Sequence, residues 1–307
     1  MGATKARQGL WMALGSVMLM AGWYPAMKVL MGRISPIQAA TIEAVGMTVA
    51  AAVWSRFRGR AITLKDTRQW AAFSLLNAAA LALLYLSLAQ LSPIVVSLVG
   101  RSYVVVCAIL GVFVLHERLS VRDWSLIIIS TGSTVIFIQG DAERVSPWGV
   151  VLSMGYVVCF AFANLLAKRF ASGATPSTTL FWSRVLAAIV LPVLGLALEG
   201  RAFLSLDVGA AVWVLGCSLV TMFAGLWLYY RALSAASFTL VNVLRALGPI
   251  FVFFYSLPLM THWPSIGQII AGIVCIVSIA VLSLFPQRIA KRTAHSRELS
   301  ATEIGKT

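Results

Sequence analysis

Long apolar stretches, separated by short polar runs rich in Pro, Ser, Gly and basic residues, occupy nearly the whole chain. About 20 apolar residues suffice for a helix to cross a bilayer. Stretches of that length run near Gly9 to Met31, Pro36 to Ser55, Trp70 to Leu91, Pro93 to Leu115 and Val121 to Gln139, then Pro147 to Phe170, Pro176 to Leu198, Val208 to Leu233, Ser237 to Met260 and Pro264 to Phe285. The pattern predicts an all-α membrane protein of ten transmembrane helices in two sets of five. Five is odd, so the second set enters the membrane from the opposite side and becomes an inverted-topology repeat of the first. Such repeats suit carriers in which a midplane site opens alternately to each side.

The two halves can be laid on each other. At an offset of 140, Gly9 falls on Gly149, Gly15 on Gly155, Lys28 on Lys168 and Pro36 on Pro176. At an offset of 144, Tyr85 falls on Tyr229 and Arg101 on Arg245. Apolar matches arise by chance, but Lys, Pro, Tyr and Arg matching in one order do not. The expected organisation is a first five-helix repeat over 1–141, a second over 142–286 and a polar cytoplasmic tail over 287–307.

Composition agrees with a membrane class: 60% of residues are hydrophobic, 11% are charged and the mean hydropathy is +0.91, well outside the soluble range. The net charge of +14 would suggest a nucleic-acid partner in a soluble protein. Its placement gives another reading. Setting aside Arg101, Arg184 and Arg245 deep within spans, Lys28, Arg33, Arg144 and Arg201 are the only basic residues counted at the odd-numbered loops. The remainder lie in the N-terminus, the even-numbered loops and the tail. By the positive-inside rule both termini are expected in the cytoplasm, with the chain a multi-pass protein of the inner (plasma) membrane. Its charge is a topology signal, and no nucleic acid is implied.

Little in the sequence supports an enzyme. The spans leave no room for a soluble catalytic domain, and His116, His262 and His295 show no metal-binding spacing. Cys107, Cys159, Cys217 and Cys275 all fall within spans without a C-x-x-C pair. No enzyme activity, cofactor or metal is expected.

Four charges inside spans, Glu43, Arg101, Arg184 and Arg245, carry the functional expectation. Each costs about 3 kcal/mol near a helix centre on insertion scales, which places them towards the bundle interior. At 1.5 Å of rise per residue, Glu43 and Arg101 lie roughly 10–12 Å below the outer edge. Arg184 and Arg245 lie about 12 Å above the inner edge. A Glu43–Arg101 pair would neutralise the outer level and act as a gate or coupling pair, with protons as a candidate coupling ion. The two inner arginines invite an anion, because unpaired charge in low dielectric is costly. Substrate contacts are expected from Arg245, Arg184 and Arg101, with the deeper aromatics Trp23, Tyr103 and Trp182. Tyr85 and Tyr229, beside short turns, read as structural. Pro25 and Pro249 interrupt spans one and nine and are candidate kinks.

The segment Tyr85 to Ile138 also carries a distinctive order of residues. A tyrosine-ended third helix meets a short turn at Gln90 to Ser92; the fourth helix ends in LHERLS (Leu115 to Ser120), followed by RDW (Arg122 to Trp124) and Gly132. This order resembles the helix-four to helix-five signature of the drug/metabolite transporter superfamily in its ten-helix bacterial, EamA-type form. The second copy departs from it, reading THWPS (Thr261 to Ser265) where the first has Glu117. The resemblance implies a central cavity lined by helices one to four and six to nine, helices five and ten packed outside, and a protomer that works alone. It also implies a small-molecule metabolite as cargo, usually exported. With the residues above, the expectation is a secondary transporter for an amino-acid-like or aromatic anionic or zwitterionic compound. The alternatives are an uptake carrier, including one for a cation held by Glu43, and a channel or non-transporting receptor.

Overall fold

The computed structural model describes residues 2–59, 62, 67–103, 105–106, 109–110, 121–139, 145–170, 175–235, 247–259 and 265–284. Apart from one isolated bridge between Met31 and Ile34, its regular structure is helical: α1 Gly2–Lys28, α2 Pro36–Phe57, α3 Thr67–Gln90, α4 Pro93–Val99, α5 Val121–Gln139, α6 Pro147–Phe170, α7 Pro176–Glu199, α8 Val208–Cys217, α9 Ala224–Ala235, α10 Gly248–Ser256 and α11 Ile266–Leu284. A π-helical segment, Ser218–Phe223, joins α8 to α9, and single 3-10 turns follow α7 (Gly200–Leu204) and α10 (Leu257–Leu259).

The helix starts follow from local chemistry. Ser35, Ser92 and Thr175 are N-caps, and the proline after each takes the first helical turn, where its missing N–H costs nothing. Ser35 and Gln38 close a full capping box, as the reciprocal bonds of Ser265 and Gln268 do at α11. At the far end of α2, Gly59 adopts φ +60° and its N–H bonds Arg56 O, a left-handed stop that glycine makes without strain.

Each half packs on the other in a reciprocal pattern. The most extensive contact joins α3 to α6, and α1 packs on α9 as its counterpart; α2 lies on α7, α5 on α11 and α4 on α10. Glycines let these seams close. Gly155 of α6 faces Leu83 of α3, and Gly15 of α1 faces Leu228 of α9, the close approach that small residues allow between apolar helices. Ser16 Oγ adds a 2.7 Å bond to Gly225 O.

The turns before α2, α4, α6 and α8 gather at one end. Lys28 Nζ donates to Leu88 O and Leu91 O at 2.9 and 2.8 Å, Ser146 Oγ to Gln90 Oε1 at 2.8 Å and Gln38 Nε2 to Phe203 O at 2.8 Å. Near α2's other end, Arg58 lies over the Trp54 ring and Arg231 over the Trp227 ring, and the two indoles meet edge to face at 6.0 Å.

Trp23, Met27, Met47, Leu81, Tyr85 and Leu88 form the buried centre. The outer faces of α7, α8 and α11 expose Ile189, Val193, Val212, Ile269 and Ile273, which suits lipid and not water. By length and composition, six stretches qualify as spans: Gln8–Lys28, Pro36–Phe57, Arg68–Gln90, Pro147–Leu166, Ser177–Leu204 and Val208–Ala232. Gly248–Leu259 and Ile266–Ser278 are shorter apolar helices. The expected count of ten is thus not reached among the described residues. The fourth and ninth expected spans run partly through other residues, and α4 ends at Val99 with a tight turn, Arg101 N bonding Leu98 O at 2.9 Å. The tail from 287 lies outside the described residues.

Candidate functional site

Two buried stripes meet at the centre of the bundle. On α2, Ala40, Glu43, Ala44, Met47 and Ala51 face inward, the i, i+3, i+4, i+7 spacing of one helix face. On α7, Leu180, Ser183, Arg184, Ala187 and Leu191 do the same. The small side chains bring the helices together, and Glu43 meets Arg184 across the seam with Oε1 3.2 Å from Nη2. The distance is that of an ion pair, but the atoms are not aligned as a hydrogen bond.

The other carboxylate oxygen is densely bonded. Glu43 Oε2 accepts from Trp23 Nε1 at 2.8 Å, Tyr85 OH at 2.9 Å and Ser218 Oγ at 3.2 Å. Glu43, Trp23, Tyr85 and Ser218 each have 0% exposure, and the indole of Trp23 meets the Tyr85 ring edge to face at 5.1 Å. Donors from α1, α3 and the π segment therefore fix a carboxylate of α2. A π turn shifts the helix register by one residue, and here the first residue of the π segment supplies the donor.

Arg184 faces two ways. It is 8% exposed and touches Glu43 on one side, while on the other it lines an open cavity of about 1030 Å³, counting its mouth. The polar wall consists of Arg184, Arg101, Asn77 and the tyrosines Tyr24, Tyr103 and Tyr156, and Phe160 adds an aromatic face. Tyr103 lies 5.5 Å from Phe160, and Tyr156 stacks on Phe160 at 5.8 Å. Arg101 follows the α4 turn and presses on the start of α10, where a Cβ on Gly248 would stand 2.6 Å from its Nη2. Glycine at 248 is what admits the guanidinium. Among the described lining residues none comes from α5 or α11, and those two helices pack on each other.

The geometry corrects part of the sequence reading. Glu43 pairs with Arg184 and not with Arg101. Backbone positions leave roughly 6 Å between the two levels of a ~30 Å core, a gap that an arginine side chain crosses. Arg184, Arg101 and Tyr103 come together at the cavity, whereas Trp23 lies beneath it on the carboxylate. Trp182 belongs to a separate cluster with Trp70 and Phe73. Pro25 sits inside α1 as expected, but Pro249 occupies the first turn of α10 and interrupts no described helix. Arg245 lies outside the described residues.

Three participants escaped the sequence reading. Tyr85 reads as structural from its place beside a short turn, Asn77 carries no charge to draw notice, and Ser218 lies in an apolar run. One signal existed for Ser218: it stands 144 positions after Ser74, the offset that relates Tyr85 to Tyr229. Ser74 Oγ in turn bonds Trp182 O.

The model of the EamA-like transporter family matches residues 7–139 and again 147–284. The chain belongs to the EamA-like transporter family. The double match gives this family member its two-repeat architecture, and the reciprocal helix contacts are its structural counterpart. The protein is a multi-pass membrane transporter and not an enzyme. A solved crystal structure superposes with a TM-score of 0.67 at 14% identity, covering 94% of this chain and 99% of the other, which shows a shared fold. No curated protein matches the sequence.

Proposed function

We propose that this EamA-like protein is an alternating-access secondary transporter whose cargo is a small aromatic compound with an anionic group, either an acid or an amino-acid-like zwitterion, moved outward across the inner membrane. One observation carries this reading: two arginines, Arg101 and Arg184, line a single aromatic-walled cavity while the nearby carboxylate, Glu43, lies sealed behind Arg184. Among the described lining residues the charged groups, Arg101 and Arg184, are both cationic, and a positive field in a cavity favours an anion over a cation. The same sealing weighs against a cation carrier based on Glu43.

In this mechanism the substrate anion docks on Arg184, which Glu43 orients through the clamp of Trp23, Tyr85 and Ser218. Arg101, at the junction of α4 and α10, acts as the gate, and Arg245 adds a third cation from the repeat-related position. The Glu43–Arg184 pair takes the coupling role, with protons as its ion. Pro25, inside α1, is the bending point.

The proposed topology has ten spans with both termini cytoplasmic, repeats over 1–141 and 142–286, and a cytoplasmic tail over 287–307. Two features support it. The odd-numbered turns gather at one end, and Arg58 and Arg231, both expected inside, approach each other through Trp54 and Trp227.

Counterflow in proteoliposomes with labelled aromatic acids, amino acids and organic cations tests the substrate class. Saturable exchange of an anionic or zwitterionic aromatic compound, lost in Arg184→Gln, supports it. Exchange of cations alone contradicts it.

A further inference from the structure

The cavity wall contains one amide whose orientation the backbone dictates. Asn77 on α3 is 5% exposed and lines the cavity. Its Nδ2 donates to Phe73 O at 2.8 Å. A carbonyl oxygen accepts and cannot donate, so the flipped amide, with Oδ1 facing Phe73, is excluded. Oδ1 must turn the other way, where no described residue donates to it and where it is not sealed by protein.

The surroundings define what would satisfy it. Ala80, Leu81 and Leu84 of the same helix form apolar cavity wall, and an acceptor in such a wall is costly to leave without a donor. A simple carboxylate cannot help, having only lone pairs to offer. Arg184 brings the opposite character to the same cavity, whose wall its guanidinium joins. The cavity therefore presents cationic donors and a neutral acceptor to one ligand.

We propose that Asn77 is a specificity-determining residue that selects zwitterionic over purely anionic aromatic cargo. The ligand's carboxylate engages Arg184, its ammonium donates to Asn77 Oδ1, and its ring lies along Tyr103 and Phe160. This rests on the anionic-cavity reading and decides between the two cargo classes that it leaves. A site built to bond a donor rejects the analogue lacking it more strongly than an apolar pocket rejects a change of size. For a charged hydrogen bond the discrimination is about ten- to a hundredfold.

The test is competition in proteoliposome counterflow among phenylalanine, 3-phenyllactate and 3-phenylpropionate, which share a ring and a carboxylate and differ in the donor beside it. In the wild type, phenylalanine should exchange with a half-saturation about ten- to a hundredfold below that of 3-phenylpropionate, with 3-phenyllactate between them. In Asn77→Leu that ratio should fall to within about threefold while 3-phenylpropionate still exchanges. Asn77→Ala serves if the leucine variant does not fold, and the wild-type ratio needs no variant at all. Equal exchange of phenylalanine and 3-phenylpropionate, abolished in Arg184→Gln, overturns the role of Asn77 and leaves the anionic cavity standing. A ratio retained in both Asn77 variants also overturns it. Absence of exchange for all three compounds overturns the cavity reading and this inference with it.

Discussion

Replacing Glu43 or Arg184 by glutamine removes one ion pair from opposite ends, and the costs should be unequal. In Glu43→Gln the amide oxygen can still accept from Trp23, Tyr85 and Ser218, but its NH2 replaces the oxygen that lies 3.2 Å from Arg184 Nη2. A guanidinium that is 8% exposed is then left facing a donor, and breaking a buried pair in this way costs about 3–5 kcal/mol. In Arg184→Gln the carboxylate keeps all three donors, and the new NH2 can turn towards Oε1. The cost should be about 1–2 kcal/mol. The double variant replaces the pair by two neutral amides and should fall within about 1 kcal/mol of Arg184→Gln, since neutral substitutes for buried pairs are often tolerated. Thermal unfolding followed by tryptophan fluorescence, with the 10 tryptophans of the chain as reporters, ranks the variants in one detergent. Glu43→Gln should show the lowest apparent Tm, and the second substitution should restore much of the loss. Equal losses in the two single variants, or a double variant worse than either, would refute the account of Glu43 as an anchored anion.

Other consequences follow from the same geometry. Tyr85→Phe keeps the ring contact with Trp23 but removes one donor to Glu43, and should lower stability by about 1–2 kcal/mol in the same thermal assay. Gly149→Ala puts a Cβ 2.8 Å from Leu91 Cγ and should cost about 1–3 kcal/mol by overpacking. Gly132→Ala meets nothing within 4 Å and should be neutral or stabilising by up to about 1 kcal/mol. Lys28→Met removes the donor to the carbonyls of Leu88, Ala89 and Leu91. It should cost about 2–3 kcal/mol and speed proteolysis of the turn before α4.

The parts of the fold that local chemistry dictates were legible in the sequence. Apolar run length located the long helices, and Ser-Pro or Thr-Pro pairs marked the starts of α2, α4, α6 and α7 to the residue. Scarcity of charge singled out Glu43, Arg101 and Arg184, and all three lie at the cavity or directly behind it. Their pairing was not legible, because position along a helix gives the depth of a backbone and not of the guanidinium at the end of its side chain. The π segment at Ser218–Phe223 lies in an unbroken apolar run and leaves no compositional mark. Asn77 and Ser218 act as neutral hydrogen-bonding groups, which single-sequence reasoning cannot separate from the other small polar residues of the spans. Trp23 and Trp182 looked alike by depth, and only the direction of each side chain separates the carboxylate clamp from the Trp70 cluster.

The central claim is that Arg184 holds the anionic end of the cargo in the cavity. Its most direct test is substrate exchange by Arg184→Gln and by the Glu43→Gln/Arg184→Gln double variant in proteoliposomes, after confirming that both stay folded. The account requires that an aromatic acid or amino acid exchanged by the wild type shows a half-saturation raised at least about tenfold, or no exchange, in both variants. Unchanged half-saturation and rate in folded variants would contradict it.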